Sequence, residues 1–393
     1  MIVRQFLQWL RNAPPGERAD ATSALARAYL HSDLSPNDRA AAEGAMIMLL
    51  DDPSPLVRQA LADVFASSQA APRVIVHALA ADQPDIARPL LQRSPLLTDA
   101  DLVDLVATAH PESQAAIASR FLLPRSVSAA LAEVGAAQAC LALLENPDAD
   151  ITAFSLDRIV ERFGHLSAIR ENLLTRDDLP ATTRQAALAK LSQTLAGFVT
   201  SRHWLAEHHA QYAAREACEK ATVALAAETA CEEIGELVTH LRASGQLTAG
   251  MILRALLSGN IVLFEEAMAD LAEMPLESVS SYIHDRMLSG FRALYRKAGL
   301  PSAAYPAFRE AIVALREGVL PLHQNGAAHL SRPMVERVLM RCEQAEGEGT
   351  DDAEPLLSLL RRFAVEAARD EARTLCHDLV ARPAMPSYRL AAA

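Results

Sequence analysis

Glycine, cysteine and aromatic residues are all scarce in this 393-residue chain, which has 15 Gly, 5 Cys, 2 Trp and 5% aromatics in total. Little Gly and few aromatics argue against sandwiches and barrels, which need Gly-bearing turns and aromatic or β-branched strands. The same shortage removes the usual phosphate cradles: no Walker A, GxGxxG or GxSxG string occurs. The cysteines (Cys140, Cys218, Cys231, Cys342, Cys376) are odd in number and widely spaced, with no CxxC. That spacing suits reduced thiols in the cytoplasm better than a disulfide frame or a zinc site. Long apolar runs are missing too. The run 45–50 falls far short of the ~20 residues of a membrane span, and Arg4, Gln5 and Gln8 interrupt the N-terminal stretch, so no signal-peptide core is expected. Ile2, Phe6 and Trp9 share one helical face, expected to pack on the first helices. Positive charge is in deficit, with 37 Lys plus Arg against 49 Asp plus Glu and a net charge of −12. Each half of the chain, divided at residue 200, carries −6. A nucleic-acid partner, which needs a cationic footprint, is therefore not expected.

What the chain has in abundance is alanine, 76 residues, within a composition that is 51% hydrophobic. Ala and Leu spaced by charged residues suit closely approaching helices, and disorder as the global state is excluded. A spaced pattern organises the first half. Asp51-Asp52-Pro53-Ser54-Pro55 supplies a turn and helix start, after which Val57 and Leu61 fall on one face. Related anchors at Ile86, Ile117, Ile151 and Thr183 follow at intervals of 29, 31, 34 and 32 residues. A period of about 30 residues holds two short helices and their loops, a pair that buries its apolar face only by stacking on its neighbours. Residues 20–50 form the N-terminal capping pair in this reading.

The Asp52, Val57, Arg58 arrangement resembles a HEAT-like repeat, a likeness that implies polar ladders between the Asp and Arg positions of successive repeats; later copies are degenerate. The expected architecture is all-α, with an irregular, right-handed HEAT-like α-solenoid over residues 1–200 followed by a second helical module. Residues 201–244, with a single Gly and no Pro, read as one or two long connecting helices and a possible homodimer seam. Residues 245–393 read as a C-terminal helical domain with helices at 247–257, 261–274, 278–298, 306–317, 331–345 and 354–380. The acidic segment 346–352 is expected to be a flexible loop and the tail after Arg382 disordered. Four strings, Ile86–Leu102, Leu253–Asn260, Leu294–Pro301 and Ser331–Leu339, resemble the bacterial domain of unknown function family 2336. That resemblance implies a bacterial HEAT-like protein and lends no catalytic residue.

Chemistry is thinly signalled. No His-Glu dipeptide occurs, which counts against a HEAT-like di-iron hydroxylase. His203 and Glu207, four apart with His208 and His209 alongside, offer two or three ligands on one helix, but no further ligand is signalled. His208 is expected to pack beside Trp204. His284-Asp285 and His377-Asp378 are adjacent pairs whose side chains point about 100° apart on a helix, so neither makes an acid–base couple. No catalytic residue, metal or cofactor is assigned. The most pointed cluster is Arg292, Tyr295, Arg296 and Lys297: two arginines one turn apart with an aromatic between them, suited to a carboxylate, a phosphate or an acidic partner helix. The alternative is that these arginines pair with local acids such as Asp285. The functional expectation is a non-catalytic protein-binding scaffold or adaptor with a protein partner. A HEAT-like DNA-binding or repair enzyme and a metal-dependent enzyme are the alternatives.

Overall fold

The computed structural model describes residue 9 and residues 12–285, 287–318, 329–346 and 354–381, all of it helix and connection. Among the described residues there are 21 α-helices, one 3-10 turn and no strand. The expected N-terminal face at Ile2 and Phe6, the loop after Glu346 and the tail beyond Arg382 lie outside the described residues. Two compact units divide the chain, residues 1–190 and residues 191–393. The division falls within the helix Ala181–Ser201, ahead of the boundary at 200 read from the sequence.

The first unit contains α1 (Pro15–His31), α2 (Pro36–Leu49), α3 (Pro55–Phe65), α4 (Arg73–Ala80), α5 (Pro84–Arg93) and α6 (Asp99–Thr108). It continues with α7 (Pro111–Ala118), α8 (Arg125–Val134), α9 (Ala137–Glu145), α10 (Ala153–Phe163), α11 (Ser167–Leu174) and the start of α12 (Ala181–Ser201). Five of these helices open with proline, whose fixed φ suits the first turn and whose missing N–H would have no helical partner there. Thr98 and Asp101 close α6 with a reciprocal capping box. Each odd-numbered helix packs on the next odd one, α1 on α3, α3 on α5, α5 on α7, α7 on α9 and α9 on α11. A second row packs α6 on α8 and α8 on α10.

The sequence anchors sort between these rows. Val57, Ile86 and Ile117 are fully buried on α3, α5 and α7, as their spacing predicts. Ile151 and Thr183 do not continue that row. Ile151 lies on the connection before α10, and the buried Thr183 donates its hydroxyl to Asp157 of α10 at 2.6 Å. The interval lengthens at the third step, from Ile117 to Ile151, because that step moves from one row to the other, while the first row continues through Cys140 and Leu143 of α9.

Polar links join the successive helices. Arg18 grips Asp52 with two bonds of 2.8 and 2.9 Å. Arg58 reaches Asp82 at 2.6 Å and the Asp52 carbonyl at 2.7 Å. Further along, the arginines cap helix ends instead: Arg120 donates to the Ser94 carbonyl after α5, and Arg162 to the Ala132 and Gly135 carbonyls at the end of α8. Asp–Arg pairs thus link the first helices, and a more exposed one, Arg125 with Asp150 at 3.2 Å, follows later in the unit.

The second unit continues through the rest of α12 and α13 (Glu207–Glu228), α14 (Cys231–Ala243), α15 (Ala249–Leu257), α16 (Ile261–Ala272), α17 (Leu276–His284) and α18 (Phe291–Lys297). It ends with α19 (Tyr305–Arg316), α20 (Arg332–Glu346) and α21 (Glu354–Ala381). Its centre is α15, on which every residue from Met251 to Leu257 is buried. Helices α13, α16 and α19 pack around it. Burial of each large aliphatic side chain there contributes roughly 1.5–3 kcal/mol. The single helix expected over 278–298 is two. Asp285 breaks it, its carboxylate accepting from the Met287 and Ser289 amides and the Ser289 hydroxyl. Gly290 completes the turn, since a Cβ there would stand 2.2 Å from Cδ1 of Tyr282.

Candidate functional site

Helix α18 is short, and its two faces differ completely. Phe291, Leu294, Tyr295 and Ala298 are buried, whereas Arg292, Ala293, Arg296 and Lys297 are exposed. The buried face joins an aromatic cluster. Phe291 stacks on Tyr305 at 5.9 Å, Tyr295 meets Tyr305 at 5.2 Å and Phe308 at 5.3 Å, and Phe308 stacks on Phe264 at 6.1 Å. This cluster sets the orientation of α18, and the helix period then places three cations outward as one stripe with the small Ala293 between them. Arg292 is held over the Tyr305 ring at 5.7 Å.

Tyr295 does not line the stripe. Its ring is buried, its hydroxyl donates to the Pro301 carbonyl at 2.8 Å, and burial pushes its pKa well above the ordinary tyrosine value. Spacing put it near Arg292; the side of the helix that meets α19 turned it inward. The local pairing with Asp285 does not form, because that carboxylate is held by its own turn. Among the described residues, Arg292, Arg296 and Lys297 make no ion pair, so their charge stands unneutralised in an acidic protein.

The histidine candidates are dispersed. His203 and Glu207 do not share a helix: His203 sits in the turn after α12 with a left-handed φ of 59°, its Nδ1 3.2 Å from the Ser201 carbonyl, and Glu207 opens α13. Glu207 accepts from Gln211. The tilted rings of His208 and His209 lie 3.9 Å apart, while Trp204 is exposed and packs edge-on against Phe198 at 5.8 Å. His284 faces Glu265 at 2.9 Å and does not engage Asp285. Among the described residues, no group of three or more His, Cys, Asp or Glu is placed to hold a metal ion.

One constellation escapes sequence reading. Arg254, in the middle of α15, is 2% exposed. Its Nη1 donates to Glu366 of α21 at 2.7 Å, Nη2 lies 4.0 Å from Glu216 of α13, and the guanidinium rests over the Phe363 ring at 4.5 Å. Lys220 of α13 bridges Glu366 at 3.1 Å and Asp370 at 2.6 Å. Burial raises the Glu366 pKa, but the Arg254 hydrogen bond and the neighbouring cations outweigh it and leave the carboxyl below its ordinary value. The available signal was a lone arginine inside the apolar run Met251–Leu257; nothing local indicated a partner more than a hundred residues away.

Among the described residues no helix is long and apolar enough to cross a membrane. No curated protein and no solved structure matches the chain. A family model described as an uncharacterised protein conserved in bacteria (DUF2336) matches residues 86–347. That span reaches from α5 in the first unit to just past α20 in the second, and so takes in the exposed stripe of α18 and the buried Arg254. Covering well over half the sequence, the match identifies the chain as a member of this bacterial family.

Proposed function

We propose that this protein is a non-catalytic scaffold that captures an acidic segment of a partner protein, with its first unit built as a HEAT-like solenoid. The observation that carries the reading is the stripe Arg292, Arg296 and Lys297, three exposed cations on one short helix without an ion pair among the described residues. A row of guanidinium groups one helical turn apart matches carboxylates presented along a partner helix. The next-but-one helix packing of the first unit and its Arg18–Asp52 and Arg58–Asp82 links support the repeat architecture, a form that offers an extended surface. The same reading places a homodimer contact on residues 201–244, where Trp204, Leu205 and Tyr212 are exposed. A cytoplasmic setting agrees with the odd number and wide spacing of the cysteines.

The test is affinity purification from the native bacterium followed by mass spectrometry, comparing the wild type with an Arg292→Glu, Arg296→Glu double variant. The variant is expected to keep its helical circular dichroism and to lose an acidic partner recovered by the wild type. Equal recovery of every partner by both proteins would overturn the assignment of the stripe.

A further inference from the structure

A groove of about 590 Å³ runs between α13 and α21 of the second unit, remote in sequence from the α18 stripe. Its walls include Lys220, Arg362, Arg369 and Arg373, together with the carboxylates of Glu216, Glu366 and Asp370. Those carboxylates are over-subscribed. Glu366 serves both Arg254 and Lys220, Glu216 faces Arg254 and Arg362, and Asp370 faces Lys220, Arg373 and His329. Arg369 is exposed and has no ion-pair partner among the described residues. Five cations thus meet three carboxylates, a surplus of two positive charges. Arg361 adds to the wall but is occupied by Glu343 and Glu354. Glu219 lies near both Arg254 and Arg215 and accepts from the Thr248 hydroxyl; counting it together with Arg215 leaves the surplus unchanged.

The buried side of the network is also incomplete. Arg254 is almost wholly enclosed, yet its Nε and Nη2 have no hydrogen-bond partner, and Nη2 stands 4.0 Å from the wall residue Glu216. The Arg362 guanidinium is likewise 3.7 Å from Glu216, beyond hydrogen-bond distance, and stacks instead over Tyr212 at 4.9 Å. In a protein of net charge −12, a concave site that keeps more guanidinium groups than carboxylates is organised for an anion.

We infer that this groove binds the phosphoryl group of a small phosphorylated or diphosphorylated molecule. A phosphate monoester carries about −1.5 to −2 charges near neutral pH, which matches the surplus. Arginine forks bind its oxygens bidentately, and Arg369 and Arg373, one turn apart on α21, present two such forks at the rim. Lys220 supplies a point charge beneath them. The bound anion relieves Asp370 of neutralising Lys220 and Arg373 at once and draws Arg362 away from its long contact with Glu216.

The probe is sodium pyrophosphate, titrated calorimetrically into the full chain against a sodium chloride control of equal ionic strength. Wild-type protein is expected to bind pyrophosphate where chloride gives no heat. The Arg369→Ala, Arg373→Ala double variant removes only exposed side chains and is expected to fold normally while weakening binding at least about tenfold. The Arg292→Ala, Arg296→Ala variant should bind as the wild type does, which separates this site from the partner-binding stripe. Absence of pyrophosphate binding by the wild type, or equal affinity in the Arg369/Arg373 variant, would overturn the assignment.

Discussion

Replacing Glu366 with alanine leaves Arg254 charged, enclosed and without its one hydrogen-bonded acceptor. At an effective dielectric of about 20, an ion pair at the Arg254–Glu366 separation of 2.7 Å has roughly 6 kcal/mol of gross attraction, against roughly 4 kcal/mol for the 4.0 Å contact to Glu216. The Glu216 contact is present in both proteins, so the variant loses the Glu366 attraction itself, most of it offset because the desolvation penalty of that carboxylate goes with it. An expected destabilisation of about 3 kcal/mol lies at the lower edge of the cost of breaking a buried pair, because Lys220 retains Asp370 and Glu216 stays near. The double change Arg254→Met, Glu366→Leu removes both charges and should cost less than Glu366→Ala alone, since an apolar pair leaves no stranded cation. Hydrogen exchange measured on peptides covering residues 249–257 reads the second unit locally, which matters because a chain of two units need not unfold in one step. Protection of that segment should fall by about a hundredfold in Glu366→Ala and recover in large part in the double variant. Unchanged protection in the single variant would refute the view that Glu366 neutralises a buried charge. A double variant worse than the single would refute it equally.

Two further outcomes are expected. Burial raises the Asp52 pKa, but Arg18, the Ser54 amide and Arg58 outweigh it and hold the carboxyl below its ordinary value of 3.8. Its contribution is therefore complete above about pH 4 and declines as pH falls further. Asp52→Asn should cost about 1–2 kcal/mol at pH 7 and flatten the acid limb of the first unit's stability; thermal melts from pH 7 to 3 with an acid limb as steep as the wild type's would refute this. Among the cysteines, Cys231 and Cys376 are exposed, whereas burial raises the Cys140 thiol pKa to about 11 and the Cys218 pKa also, and Cys342 is buried. A colorimetric thiol titration at pH 8 should find two fast groups in the native protein and the other three only after denaturation.

Helix class and the ends of several helices in the second unit were legible because they follow from local rules. Proline at the first turn, the Thr98 cap and the 3.6-residue apolar period act within a few residues of chain. The break at Asp285 was missed for a related reason: a single Asp turn competes with helix through side-chain bonds that composition does not reveal. The stripe of α18 was half legible. Its arginines are one turn apart by helix geometry alone, but whether Tyr295 joins them depends on which side of the helix meets Phe308 and Tyr305.

The scarcity of glycine and aromatics and the excess of alanine determined that this chain folds as packed helices, because backbone freedom and side-chain volume act at every position alike. Sequence also supplied the residues of the Asp–Arg links among the first helices, since Arg18, Asp52, Arg58 and Asp82 are all present there. Tertiary structure alone decided that Ile151 and Thr183 leave the row begun by Val57, and that Arg254 meets Glu366 across 112 residues of sequence. The physical reason is range. Propensity, capping and periodicity are settled between residues a turn or two apart, whereas neutralising a buried charge or assembling a cationic groove depends on which distant helices the burial of apolar faces brings together.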